Sequence, residues 1–151
     1  MQNILLDEKE NIYIIDFSET KPRSIIADFA RLEPIFKIEM CDIDTEKDLK
    51  QMLEFEQGLL QAESLEVVPP FIYSGNDPMV KKAHTMICRL REYANTVTIF
   101  EKEIIPYLIA LLEWTYPVVC YTQLNLQKKK YALYGAALMC EKILELEGKR
   151  A

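Results

Sequence analysis

Two short apolar runs separated by a polar segment open the chain. Residues 4–6 and 12–15 are rich in Ile and Leu, and residues 7–11 between them are charged or polar. Such a pattern is typical of a β-hairpin, and Asn11 is the residue best suited to a left-handed turn position. We therefore predict an N-terminal hairpin. Because an isolated two-stranded hairpin is only marginally stable in water, this one must pack on the rest of the chain or pair with another element.

The pattern becomes helical after a polar loop at residues 18–22. Ile25, Phe29 and Leu32 recur at helical spacing, which places them on one face of a first helix. Pro34 follows within the same stretch. Since proline lacks a backbone N–H and clashes with the preceding turn, it predicts either a kink or a new helix start.

The second predicted helix has a clear start signal. Thr45 is suited to the N-cap position, and Asp48 lies three residues on, as in a capping box. This helix is predicted to run to about Ala62, and the Pro69–Pro70 pair then breaks the chain.

A third helix is predicted from Asp77, a capping acid, and Pro78 at the first helical position, and it runs to about Asn95. A fourth is predicted from Thr98 to Thr115, with a break or kink near Pro106.

The last predicted helix runs from Leu126 to Leu146 and is ended by Gly148. Four of its residues fall on one face at helical spacing: Leu133, Ala137, Cys140 and Leu144. The chain is therefore predicted to be mainly α, with a small N-terminal β-hairpin followed by about five helices.

Composition and charge narrow the class of protein. The 151 residues are 50% apolar, which is typical of one globular domain with a real core. The net charge of -6 argues against general nucleic-acid binding. The run Lys128–Lys130 is interpreted as a solvated helix start. No apolar stretch reaches the ~20 residues that a membrane span needs, so we expect no membrane association.

Four cysteines occur, at positions 41, 88, 120 and 140, without a CxxC pair or zinc-ligand spacing. We interpret them as buried thiols in a reducing cytosol, which predicts a cytoplasmic protein. The single histidine, His84, is interpreted as a structural or surface residue.

The aromatic and acidic residues of the C-terminal half have two possible uses. The aromatic residues could form a ligand platform, although packing in the core is the more common use. The carboxylates of Glu101, Glu103 and Glu113 could line a cleft for a cationic substrate, although exposed helix carboxylates are far more common.

Asn3 and Asp16 form the candidate chemical site. They are 13 residues apart and flank the predicted hairpin. An antiparallel hairpin brings its two ends together, so an amide oxygen and a carboxylate oxygen are expected on one edge. That pair suits Mg²⁺, which takes one or two protein oxygens and completes its shell with phosphate and water.

The segment NILLDEKENIYIIDF, residues 3–17, resembles the second half of the active-site motif of kinase-like phosphotransferases, in particular the aminoglycoside and choline kinase branch. In that family the asparagine and the later aspartate hold the metal ions that bridge the ATP phosphates. The resemblance implies that Asn3 and Asp16 contact both Mg²⁺ and ATP. Phe17 and Ser18 stand where protein kinases carry Phe-Gly, and the serine departs from that pattern.

A second motif follows in the same order. IADFARL, residues 26–32, resembles the helix after the metal aspartate in this family, where an aspartate buttresses the catalytic loop. Asp28 would take that supporting role. The resemblance covers residues 3 to about 34, and it implies a single truncated domain across 1–151. Residues 1–23 would form the metal-site hairpin and loop, and residues 24–151 the helical C-lobe of a protein-kinase-like fold.

The same resemblance places the family's catalytic aspartate, part of a His-x-Asp motif, before Met1, together with the ATP-binding N-lobe. We therefore expect no catalytic residue here, and neither bound cofactor nor phosphate transfer from this chain alone. Mg²⁺, ATP and a small-molecule substrate would belong to the intact parent, whose N-lobe or other domains would be the partners. An apolar face left on the hairpin and first helix would favour self-association. The alternative is a non-catalytic helical interaction or regulatory module in a multidomain bacterial protein.

Overall fold

The computed structural model describes residues 24–98 and 102–149, together with the backbone of the strands at residues 4–6 and 12–14. These residues are mainly helical, as predicted, and contain five α-helices. In chain order the elements are β1 (Ile4–Leu6), β2 (Ile12–Ile14), α1 (Ala27–Pro34), a π turn (Ile35–Glu39), α2 (Glu46–Leu59), α3 (Pro78–Val97), α4 (Ile104–Thr115), a 3-10 turn (Tyr116–Cys120) and α5 (Leu126–Gly148).

The two strands pair antiparallel. Ile4 lies opposite Ile14, and Leu6 lies opposite Ile12. The segment 7–11, predicted as the hairpin loop, lies outside the described residues. The start of β1 and the end of β2 therefore meet at one end of the ladder.

Of the three residues that the spacing places on one face of α1, only Phe29 packs against the core. Ile25, just before the helix, is 57% exposed, and Leu32 is 40% exposed. The buried residues include Ala27 and Ala30, and α1 packs mainly on α4. The small alanine side chains let the two helices approach closely, and this contact decides which face is buried.

Pro34 ends α1, and the chain continues as the π turn. Proline has no N–H to donate to the carbonyl four residues earlier, so regular α-helical bonding cannot continue through it. Residues Ile35–Glu39 adopt the wider π-helical geometry instead. Its consequence is that Lys37, within the turn, is buried at 1% exposure.

The start signals of α2 and α3 are confirmed. The Thr45 hydroxyl accepts from the Asp48 N–H at 3.2 Å, and the Asp48 carboxylate accepts from the Thr45 N–H at 2.9 Å. Helix α2 ends at Leu59, three residues before the predicted Ala62. The Asp77 carboxylate accepts from the Met79 N–H at 2.8 Å and caps α3, with Pro78 at its first position.

The fourth helix is shorter than predicted. Thr98 is not helical, and α4 begins at Ile104. Pro106 therefore lies in the first turn, where the missing N–H has no partner within the helix in any case. The prediction of a helix from Thr98 with a break or kink near Pro106 is corrected in this respect: the helix begins two residues before the proline, which lies at its start rather than within it.

Helix α5 crosses the body and packs on both α2 and α4. Around these contacts the buried apolar residues form two clusters, one centred on α4 and the other on α2 and α3. Cys41 is buried and Cys88 is half-buried, but Cys120 and Cys140 are exposed, so the prediction of four buried thiols was wrong for two of them. Among the described residues, the helices lack the combination of length and apolar character that crossing a membrane requires.

Candidate functional site

The predicted metal pair flanks the described strands. Asn3 and Asp16 lie outside the described residues, one residue before β1 and two residues after β2. Asp28 lies in the first turn of α1 and is exposed. Across residues 24–98 and 102–149, no group of three or more His, Cys, Asp or Glu side chains is placed to hold a metal ion.

A cluster of buried charged and phenolic side chains lies at the centre of the helical body. It takes one residue from each of six elements, namely the π turn and all five helices. Every member is at most 2% exposed. We call this set the buried polar cluster: Glu33, Lys37, Glu56, Arg91, Tyr107 and Tyr131.

Glu33 holds one half of this cluster. Its carboxylate accepts from Arg91 Nη2 at 3.0 Å and from the Tyr107 hydroxyl at 2.9 Å. Arg91 also donates to the Leu59 carbonyl at 2.9 Å, at the end of α2. The guanidinium therefore joins α1, α2 and α3, while Tyr107 adds α4.

Glu56 holds the other half. Both of its carboxylate oxygens lie 2.9 Å from Lys37 Nζ, and the Tyr131 hydroxyl donates to Oε2 at 2.5 Å. Lys37 Nζ also lies 3.3 Å from Glu33 Oε1 and so connects the two halves. Two carboxylates face two cations, which balances the charge within a volume closed to water.

The environment of the cluster shifts its pKa values in opposite directions. Burial raises the pKa of Glu33, but Arg91 and Lys37 beside it more than offset this and hold the pKa at about 2, below the ordinary 4.5. Burial and then Glu33 raise the pKa of the Tyr107 hydroxyl well above 10, and burial and Glu56 do the same to Tyr131. The carboxylate of Glu33 therefore stays ionised while both phenols stay neutral donors.

This arrangement connects all five helices and the π turn through buried hydrogen bonds and ion pairs. A buried ion pair contributes little net stability over an apolar pair, but removing one partner leaves an uncompensated charge. Sequence reasoning did not single out any cluster member as a buried charge. A partial signal exists in Lys37, which stands within the apolar run IFKIE and four residues after Glu33.

His84 lies in α3 and contacts the segment that follows α2. Its Nε2 lies 2.9 Å from the Pro69 carbonyl oxygen, and its ring packs edge-on against Phe71 at 5.2 Å. Cys88 Sγ is 3.8 Å from Nδ1 and 3.7 Å from Nε2. Near-equal distances to both nitrogens mean that the sulfur does not lie along either lone pair, and burial raises the pKa of this thiol. His84 is thus a structural residue, as expected, rather than a base for Cys88.

Two concave surfaces lie on either side of the end of α4. The larger, about 460 Å³ and almost wholly apolar, lies between α5 and the α4 end with its 3-10 turn. The smaller, about 210 Å³, includes Arg31, whose guanidinium stacks 4.5 Å from the Trp114 ring centre. Glu113 is exposed at the first surface, Glu103 is exposed at the start of α4, and Glu101 lies outside the described residues.

The comparison with protein families gives one match. The family model of ternary complex associated domain 9 matches residues 1–114, three quarters of the chain. This chain belongs to the ternary complex associated domain 9 family. The matched span of this ternary complex associated domain runs from before β1 to Trp114 near the end of α4, so the 3-10 turn and α5 lie beyond it. No curated protein sequence and no solved structure matches the chain.

Proposed function

We propose that this chain is the helical C-lobe of a kinase-like phosphotransferase fold, and that Asn3 and Asp16 supply half of a Mg-ATP site. The observation that carries the proposal is the antiparallel pairing of β1 with β2, with Ile4 opposite Ile14. In sequence, Asn3 and Asp16 flank the same end of this ladder. A ladder of this polarity is what the resemblance of residues 3–17 to the metal segment of such kinases requires.

The donor chemistry fits the metal. An amide oxygen and a carboxylate oxygen are hard ligands of the kind that Mg²⁺ accepts alongside phosphate oxygens and water. When bound, the ion would bridge and neutralise ATP phosphates. Asp28 would support this segment from the first turn of α1, which Ala27 and Ala30 anchor in the core.

Weak binding is the expected behaviour of such a half-site. The 151 residues contain one histidine, His84, which Thr85 and Met86 follow, so they hold no His-x-Asp motif. Their four glycines are too widely spaced to form a phosphate-binding loop. Without a base and a phosphate clamp, phosphoryl transfer lacks both positioning and charge stabilisation. We expect no measurable phosphate transfer and no tight Mg-ATP complex from this chain alone.

Paramagnetic broadening by Mn²⁺ tests the proposed metal pair. Mn²⁺ prefers the same oxygen ligands as Mg²⁺ and broadens amide signals near its site. We expect millimolar Mn²⁺ to broaden the amide signals of β1 and β2 selectively. Asp16→Asn should remove the effect, whereas Asp42→Asn, at an exposed carboxylate in the helical body, should retain it. Broadening that is uniform, or that survives Asp16→Asn, would contradict the proposal.

A calorimetric titration with Mg-ATP tests the second part. Binding is expected to be weak or undetectable. A tight complex that Asp16→Ala abolishes would overturn the view that the chain is inert by itself while supporting the assignment of Asp16.

The alternative function is a non-catalytic helical association module. The family description speaks of association in a ternary complex, and the apolar surface beside α5 gives a physical basis for protein contact. This function predicts that the chain associates without any response to Mn²⁺ or ATP. A chain whose association and strand signals both change with Mn²⁺ would favour the kinase-like proposal instead.

A further inference from the structure

Helix α5 carries apolar residues on two faces. The inner face is buried against α2 and α4 and comprises Tyr131, Ala132, Gly135, Ala136, Met139 and Leu146. The outer face includes Leu133 and Leu144, which are 45% and 68% exposed, with Ala137 and Cys140 exposed between them. An exposed apolar stripe on a helix that already buries another face is typical of a contact surface.

The outer face has the spacing of a coiled-coil seam. Positions 130, 133, 137, 140, 144 and 147 follow one another in alternating steps of three and four residues. This heptad spacing keeps one stripe facing a second helix over its whole length. The seam therefore fits a helix as its occupant. We call these six positions the α5 seam: Lys130, Leu133, Ala137, Cys140, Leu144 and Glu147.

The α5 seam is complementary to the same seam on a second copy of the chain that runs antiparallel to it. In an antiparallel pairing about a point between residues 138 and 139, Leu133 lies opposite the partner's Leu144. Ala137 lies opposite the partner's Cys140. Every apolar residue of the seam then meets another apolar residue, and the small pair at the centre lets the two helices approach closely.

The charged residues at the two ends of the α5 seam favour the same antiparallel arrangement. The antiparallel register places Lys130 opposite the partner's Glu147 at both ends of the seam. A parallel pairing in register would instead place lysine on lysine and glutamate on glutamate, which is unfavourable. Glu147 is exposed, and the Lys130 side chain is 33% exposed and pairs with Glu46 at 3.4 Å, a long contact that leaves its other N–H donors for the partner's Glu147.

We propose that two copies of this chain form a two-fold dimer through antiparallel packing of the α5 seam. The apolar surface beside α5, about 460 Å³ with Leu112 and Tyr116 on its far side, receives the partner helix. Tyr116 lines this surface and is 59% exposed, so its ring is available to pack against the partner helix. Such a contact is isologous and closes on itself, so it yields a dimer rather than a filament.

Reciprocal charge substitutions test the register. In sedimentation equilibrium the wild-type chain should approach twice 17.6 kDa as its concentration rises. Leu133→Glu and Leu144→Lys should each raise the dimer dissociation constant at least about tenfold. The double variant should recover dimerisation, because the register pairs each introduced glutamate with an introduced lysine. Val68→Glu, at a 72% exposed position away from α5, is the matched control and should not change the constant.

A wild-type chain that stays monomeric at every concentration overturns the proposal. So does a double variant that remains as weak as the single ones, because the register would then be wrong. Equal loss of dimer in Val68→Glu would place the contact elsewhere. Urea unfolding of each variant separates loss of association from loss of folding.

Disulfide trapping gives a second measurement. Ala137→Cys, in a Cys120→Ser background, places a thiol opposite the partner's Cys140. Mild oxidation should give a reducible dimer band, and adding Cys140→Ala should abolish it. An oxidised sample that shows only monomer, or a band that persists without Cys140, would count against the antiparallel register.

Discussion

Lys37 and Glu56 form a salt bridge in the centre of the helical body. Lys37 Nζ lies 2.9 Å from both carboxylate oxygens of Glu56, and each side chain is 1% exposed. One charge comes from the π turn and the other from α2, so the bridge fixes the position of the turn after Pro34. Because both charges are desolvated, each depends on the other.

Lys37→Met tests that dependence. The substitution keeps much of the side-chain volume but leaves Glu56 buried without its cation. The free energy of unfolding is expected to fall by about 3–5 kcal/mol, as measured by urea denaturation. Arg89→Met is the matched control, because the Arg89–Glu92 pair is 65% and 57% exposed and such pairs contribute at most about 1 kcal/mol. Similar small losses in both variants would contradict a structural role for the buried pair.

The lowered pKa of Glu33 predicts that the folded chain loses stability in acid. Its pKa is about 2 in the folded chain against an ordinary value of 4.5. A lowered folded-state pKa gives stability that is complete above the unfolded value and is lost as pH falls from 4.5 towards 2. The loss should be on the order of 3 kcal/mol, seen as a falling urea midpoint. Glu33→Gln should be less stable at pH 7 and show a flatter profile below pH 4.5. An unchanged acid slope in that variant would show that Glu33 is not the group responsible.

Tyr131→Phe removes one hydroxyl from the buried polar cluster. That hydroxyl donates to Glu56 at 2.5 Å, and a hydrogen bond to a charged group contributes about 1.5–3 kcal/mol. We expect a loss in this range in thermal or urea unfolding. Tyr134→Phe, three residues on at a 46% exposed position, should change stability by less than about 0.5 kcal/mol. If the two substitutions had equal effects, the hydroxyl of Tyr131 would not support Glu56.

The capping box at the start of α2 gives a local prediction. Thr45→Ala removes the acceptor for the Asp48 N–H and should cost about 1 kcal/mol of unfolding free energy. Thr85→Ala, where an exposed hydroxyl bonds to a carbonyl within its own helix, is the control and should have a smaller effect. Chemical denaturation of the wild type, Thr45→Ala and Thr85→Ala measures these differences in the free energy of unfolding. A Thr45→Ala protein as stable as wild type would mean that the cap is dispensable.

The sequence by itself determined the local starts and stops of the helices. Thr45 with Asp48, and Asp77 with Pro78, specify helix starts through hydrogen bonds that span only a few residues. Pro34 likewise predicts an interruption of regular helix because it lacks an N–H, and the chain changes to π geometry there. The resemblance that motivates the metal pair also rests on residues close in sequence, from Asn3 to about residue 34.

Only the tertiary structure decided which faces and which charges are buried. Ile25 and Leu32 have the spacing of a core face but are exposed, whereas Ala27 and Ala30, together with Phe29, pack in the cluster around α4. Glu33 and Arg91 are 58 residues apart in sequence, and their ion pair forms only when α1 and α3 pack together. The α5 seam was visible as a periodic face, but its exposure depends on α2 and α4 covering the opposite side. Burial is a property of contacts between distant segments, so no local pattern could assign it.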